Sequence, residues 1–243
     1  MPMDLMPFDL DGRRLTDTAA DSILNRGGER AALESHLEAL RDRLEELVRD
    51  QASITALADV RLQMARALVS LERGGEAWQL GRQVLDVFIA HEDYESAADA
   101  CDVLFQADQP QSLAALGQGI WLAVTYPIDP DLTVELLTHV VDETPDDADG
   151  AAVAATTALF IADLRAQGTQ RDNLMFFAGQ ILGQVARRHA GVDTQQAFDH
   201  WMEKLELKEP GKFLVRLRNV VDVLVQDDWW FDREALRARL PVN

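Results

Sequence analysis

A helical pattern that returns at a regular interval is the feature that most constrains how this chain can fold. Turn-forming segments are centred near Gly75, Gln111 and Asp147, at steps of 36 residues. Between the turns, apolar residues recur at helical spacing. One helix hairpin cannot bury both of its apolar stripes, whereas stacked hairpins can. The sequence therefore predicts an all-α protein in which three helix hairpins, at residues 57–168, stack as an α-solenoid.

A leucine stripe at residues 29–50 predicts a long amphipathic helix before the hairpins. Its members alternate four and three positions apart: Leu33, Leu37, Leu40, Leu44 and Leu47. The stripe is shorter than three heptads, so packing against its own domain is the preferred interpretation. A homodimer through residues 29–50 is the alternative.

The two ends of the chain differ in pattern. Residues 1–28 are rich in Met, Asp, Pro and Gly, which predicts an irregular N-terminal arm with a short helix near residues 17–24. Residues 29–243 are predicted to form a single helical-repeat domain, in which residues 169–243 supply C-terminal capping helices. The segment LVRLRNVVDVLVQDD, at residues 214–228, alternates in part but is interpreted as a helix.

Part of the repeat region resembles a known family. The segment ARALVSLERGGEAWQLGRQVLDV looks like a tetratricopeptide-repeat unit, with Ala65 where helices cross, Gly74 at the turn, and Ala77 and Leu85 in the second helix. PDDADGAAVAA resembles the junction between such repeats. The resemblance covers residues 57–168 and implies a right-handed, tetratricopeptide-like solenoid.

The resemblance also implies a function and a site. Such arrays are adaptors or dedicated chaperones that bind another protein in a concave groove lined by the first helix of each pair. The residues expected in that groove are Arg61, Arg66, Asp99, Asp102, Glu135 and His139. The clamp that holds a C-terminal carboxylate with Lys and Asn is not expected, because residues 57–168 contain neither residue type.

The charge composition restricts the classes of partner that the chain can bind. The chain carries 42 acidic and 23 basic residues, for a net charge of −19. This charge argues against nucleic acids and anionic membranes as partners, and it suits a basic protein or peptide. A single cysteine, Cys101, and an N-terminus without a signal-peptide pattern indicate a cytoplasmic, bacterial-type protein. No cofactor or metal is expected.

A different class is suggested by FDLDG at residues 8–12. It resembles the first signature of the haloacid-dehalogenase-like hydrolases, which implies a Mg²⁺-dependent phosphohydrolase with Asp9 and Asp11 in the active site. Under this alternative the later signatures would fall at Thr125, Lys208, Asp227 and Asp228. Against it, Pro7 would interrupt a central strand, and the β-type alternation of a parallel sheet is missing. The non-enzymatic interpretation is therefore preferred.

Two further hypotheses concern the surface. Trp229 and Trp230 form an aromatic run that could anchor a partner, although such runs more often hold a terminal helix on the core. An acidic mimic of nucleic acid is the third functional class considered, and it would need carboxylates spaced like phosphates on one face.

Overall fold

The structure, a computed structural model, describes the backbone of residues 15–240 and the side chains of residues 28–240. These residues form helices and no strand, which confirms the predicted all-α class. The helices are α1 (Leu15–Arg49), α2 (Ile54–Ser70), α3 (Gly74–Ala90), α4 (Tyr94–Gln106), α5 (Ser112–Thr125), α6 (Pro130–Glu143), α7 (Asp149–Arg165), α8 (Gly168–Ala190), α9 (Gln195–Lys204), α10 (Pro210–Val225) and α11 (Arg233–Arg237).

Short polar segments end one helix and start the next. The Asp93 carboxylate accepts a hydrogen bond from the backbone amide of Ser96 and caps α4. Asp129 caps α6 in the same way by accepting from the amide of Asp131, and Pro130 occupies the first turn, where its missing N–H costs nothing. These caps help to determine where α4 and α6 begin.

Helices that are neighbours in the sequence pack against each other from α1 through α8. The chain then turns back, so that α10 packs on both α5 and α7. This close approach depends on Gly117 of α5, because a Cβ there would lie 2.6 Å from Cγ2 of Val225. The buried apolar residues of all these helices form one continuous core.

The N-terminal helix is longer than predicted. Helix α1 begins at Leu15, so the short helix predicted near residues 17–24 is part of α1, and the rest of residues 15–28 is helical rather than irregular. Gly27 and Gly28 each weaken a helix by about 1 kcal/mol relative to alanine, a cost that a long flanking helix can tolerate. Residues 1–14 of the predicted arm lie outside the described residues.

The leucine stripe of α1 serves the core of its own chain. Leu37 and Leu40 are buried, and the other three leucines of the stripe pack against the same cluster. Helix α1 lies on α2. A homodimer formed through this stripe would have to replace those contacts.

Two further sequence predictions bear on the fold. Residues 214–225 of the partly alternating segment lie in α10, which confirms that this part is helical, and residues 226–228 follow the helix. Within the part of the chain that the structure describes, each helix is too short or too polar to cross a membrane.

Candidate partner-binding groove

Two adjoining depressions lie on either side of α6. The first, of about 340 Å³, is lined from α2, α4 and the start of α6. The second, of about 480 Å³, lies between α6 and α8. Asp131 and Glu135 line both, so the two depressions are adjacent, and together they are here called the α6 groove.

The spacing of residues along α6 creates the outward face of this groove. Asp131, Glu135, Thr138 and Asp142 follow one another at steps of four, three and four, and His139 lies four positions after Glu135, so all five share one side of the helix. The remaining side of α6 carries apolar residues that are buried against neighbouring helices. An amphipathic helix thus presents its polar face to the groove.

The α6 groove is strongly acidic. Six carboxylates line it: Glu95, Asp99, Asp129, Asp131, Glu135 and Asp142. Among the described lining residues Arg66 is the one arginine or lysine, and it forms an ion pair with Asp99. Burial, together with the charge of Asp102, raises the pKa of Glu135 above its ordinary value. The groove therefore holds more negative charge than its own side chains neutralise.

A buried carboxylate lies beneath the α6 groove. The Asp102 side chain is completely buried, accepts a hydrogen bond from the Gln106 amide, and lies 3.1 Å from His139 Nε2. Burial lowers the pKa of His139, but the hydrogen bond to Asp102 and the charges of Asp102, Glu135 and Asp142 outweigh it and raise this pKa. His139 thereby supplies Asp102 with a positive partner once it is protonated.

The same region contains the residues that could hold a metal ion. Asp102, Glu135 and His139 each offer one ligand atom, and these atoms lie within 4.8 Å of one another. An imidazole and two carboxylates suit a divalent transition metal. No metal was predicted from the sequence, because Asp102 lies on α4 and its approach to Glu135 and His139 of α6 depends on how the two helices pack.

The end of the α6 groove at α8 is partly apolar. Phe177 is 49% exposed, and it lines the depression with the buried Leu174 and Val134. Its neighbour Phe176 is 70% exposed and is not part of the lining. The groove therefore offers an accessible aromatic ring beside its carboxylates.

The structure brings together most of the predicted groove residues. Arg66, Asp99, Glu135 and His139 line the α6 groove, and Asp102 lies directly below it. Arg61 lines neither depression. Sequence reasoning missed Glu95, Asp129, Asp131, Asp142 and Phe177. The spacing of the acids along α6 was a signal for two of them, whereas α8 had been assigned to the capping helices.

Trp229 and Trp230 belong to a partly buried cluster packed against the core, here called the aromatic cap, which also contains Phe231. Trp230 packs edge-on against Trp78, with ring centroids 5.8 Å apart, and its ring also lies under the guanidinium of Arg82. Trp229 and Phe231 both contact the buried Trp121. These contacts match the interpretation in which the run holds the C-terminal segment on the core.

Only some residues of the hydrolase alternative lie in the part of the chain that the structure describes. Asp9 and Asp11 lie outside the described residues. Thr125 ends α5, and Asp227 and Asp228 follow α10, so helices occupy the positions where strands were required. Lys208 donates a hydrogen bond to Glu203.

A depression of about 380 Å³ lies elsewhere, between α10 and the turn joining α6 to α7. Its lining is mostly apolar, with Leu113 and Val223 among the exposed members. It offers few groups that would select one partner over another, so the α6 groove is the stronger candidate.

The chain was compared with protein-family models, curated proteins and solved structures. None of them matched it. The function must therefore be argued from the groove itself.

Proposed function

We propose that this chain is a non-enzymatic protein-interaction module, an adaptor or dedicated chaperone that binds a basic protein segment in the α6 groove. We further propose that α2 to α7 form a right-handed, tetratricopeptide-like solenoid whose first helices, α2, α4 and α6, line that groove. The observation that carries the proposal is that α2, α4, α6 and α8 line two adjoining depressions whose acidic residues lie on α4, on α6 and at the start of α6. This is the arrangement expected when each hairpin contributes its first helix to a shared concave face.

The charge of the α6 groove favours a cationic ligand. Arg66 offsets one of six carboxylates, and the rest face the depression. Complementary charge of this kind accelerates encounter and selects the partner. Burial raises the pKa of Glu135 and repulsion from Asp102 raises it further, and a lysine or arginine side chain entering the groove would relieve that repulsion.

The shape of the groove favours a peptide over the nucleic-acid mimic. A protein that binds a duplex surrounds a convex rod, so a mimic must carry its carboxylates on a protruding surface. Here the carboxylates line a depression. The phosphohydrolase alternative receives no support from residues 15–240, because it requires a parallel sheet and these residues form helices.

Binding of a short fluorescein-labelled lysine-rich peptide, followed by anisotropy at low and high salt, tests the proposal. The wild-type chain should bind at low salt and lose affinity as salt screens the charges. The double variant Asp131→Asn, Glu135→Gln should bind about tenfold more weakly, because it removes the two carboxylates shared by both depressions.

The matched control removes two carboxylates elsewhere. Glu45→Gln with Asp86→Asn changes the net charge equally at exposed positions of α1 and α3 that do not line the groove. This variant should bind the peptide as the wild type does. Equal weakening by both pairs would overturn the proposal, since it would show a general attraction to the net charge of −19.

A further inference from the structure

The α6 groove is built from two chemically different parts that lie side by side. Four of its six carboxylates lie on α6 or at its N-terminus, while its exposed aromatic ring, Phe177, lies on α8. The Phe177 ring is 49% exposed, so covering it with an apolar group of a partner would contribute favourably to binding. A purely ionic ligand would leave this ring in water.

The spacing of the acids along α6 sets a length scale for the ligand. Asp131, Glu135 and Asp142 stand at relative positions i, i+4 and i+11 of one helix. At 1.5 Å per residue the first and last are separated by about 16 Å along the axis. A ligand helix lying along α6 presents side chains at the same three relative positions on one face, whereas an extended chain covers that distance in about five residues.

We infer that the ligand of the α6 groove is a short amphipathic basic helix, which places one apolar side chain against Phe177 and basic side chains toward Asp131, Glu135 and Asp142. This inference rests on the proposed function and adds the ligand's secondary structure and its apolar anchor. Charge complementarity identifies the basic face, and the half-exposed ring beside the acids identifies the anchor. Recognition of this kind lays the apolar stripe of a helix into a groove between helices.

Two peptides of identical composition distinguish recognition of one helix face from attraction to the peptide's charge alone. The first carries Lys at positions i, i+4 and i+11 with Leu at i+8, so that all four side chains share one face of a helix. The second has the same residues rearranged so that the lysines surround the helix. The first should bind the wild-type chain about tenfold more tightly, and circular dichroism should show that it gains helix on binding.

Phe177→Ala is the decisive variant, and Phe176→Ala is its matched control. Both remove an exposed ring from adjacent positions of α8, but only Phe177 lines the α6 groove. Phe177→Ala should weaken binding of the first peptide about tenfold, while Phe176→Ala leaves it unchanged. Far-UV circular dichroism of both variants confirms that each is folded.

A third peptide, with Gln in place of the anchoring Leu, distinguishes the inference about the apolar anchor from the proposed function of the groove. Its binding should depend on Asp131 and Glu135 but not on Phe177. If the first peptide binds equally well to wild type and Phe177→Ala while the groove carboxylates still matter, the inference fails and the proposed function stands. If removing the groove carboxylates changes the binding of none of the peptides, the proposed function itself fails.

Discussion

The α6 groove and the aromatic cap both contain residues predicted to bind a partner. The side chains of the cap are already packed against the same chain, whereas most carboxylates of the groove have no positive partner within it. In the cap, Trp230 already packs against Trp78 and Arg82, and Trp229 against Trp121. In the groove, the carboxylates outnumber the single arginine that neutralises them. A conspicuous residue type is therefore a weaker sign of binding than an interaction that the chain itself leaves incomplete.

This contrast has an energetic consequence. Aromatic contacts of the cap are formed within the chain, so they stabilise the folded state. Like charges along the α6 groove repel one another, so they oppose folding or contribute little to it. Substitutions in the cap should therefore change stability without changing peptide affinity, and substitutions in the groove should do the reverse.

The largest effect is expected for Trp121→Ala. Trp121 is 5% exposed and lies beneath Trp229 and Phe231. Removing it should lower the free energy of unfolding by about 3–5 kcal/mol, measured by urea denaturation. Phe176→Ala serves as the exposed control, and its effect should stay within about 0.5 kcal/mol. A similar small effect for both variants would show that the aromatic cap does not hold the fold.

A pH-dependent effect on stability is expected for His139→Gln, which changes a residue that lines the α6 groove. Because the folded-state pKa of His139 is raised above its ordinary value of 6.5, protonated His139 stabilises the fold. That contribution is complete below about pH 6.5 and is lost as the pH rises through the raised pKa. The stability difference between wild type and His139→Gln should therefore shrink with rising pH.

The control for this titration is His36→Gln, since His36 is exposed on α1. It removes an imidazole that does not line the α6 groove, and so it measures the effect of a histidine-to-glutamine change elsewhere in the chain. A difference for His139→Gln that does not vary with pH would rule out a contribution from the charged pair with Asp102.

Much of the fold could be predicted from the sequence because the interval of 36 residues places three turns without any knowledge of packing. The start of α1 was missed because a weak apolar pattern and two glycines look like a break, although a helix can continue through both. The return of α10 onto α5 was also missed. An apolar stripe shows which face of a helix is buried, but not which helix covers it, and here the decisive detail is the missing side chain of Gly117.

The candidate site could be predicted only in part, because the sequence indicates the faces of helices but not how the helices pack together. Arg66, Asp99, Glu135 and His139 were named because they lie on first helices of the predicted hairpins, and they do line the α6 groove. Phe177 was missed because a phenylalanine on an amphipathic helix is usually buried, and its exposure depends on how α8 sits beside α6. An acidic residue on a helix has the same sequence pattern whether it faces open solvent or a groove.

The smallest effect on stability is expected for Asp131→Asn with Glu135→Gln. Both side chains face the α6 groove, and their charges add to a cluster that already contains Asp102 and Asp142. The free energy of unfolding should change by no more than about 0.5 kcal/mol, because relief of repulsion offsets the weaker hydrogen bond that Gln170 donates to residue 131. Urea denaturation measures this change, and the double variant Glu45→Gln, Asp86→Asn is the control. A loss above about 1 kcal/mol would mean that these carboxylates hold the helices together, and the groove would then resemble the cap: a set of contacts used for folding rather than a surface left open for a partner.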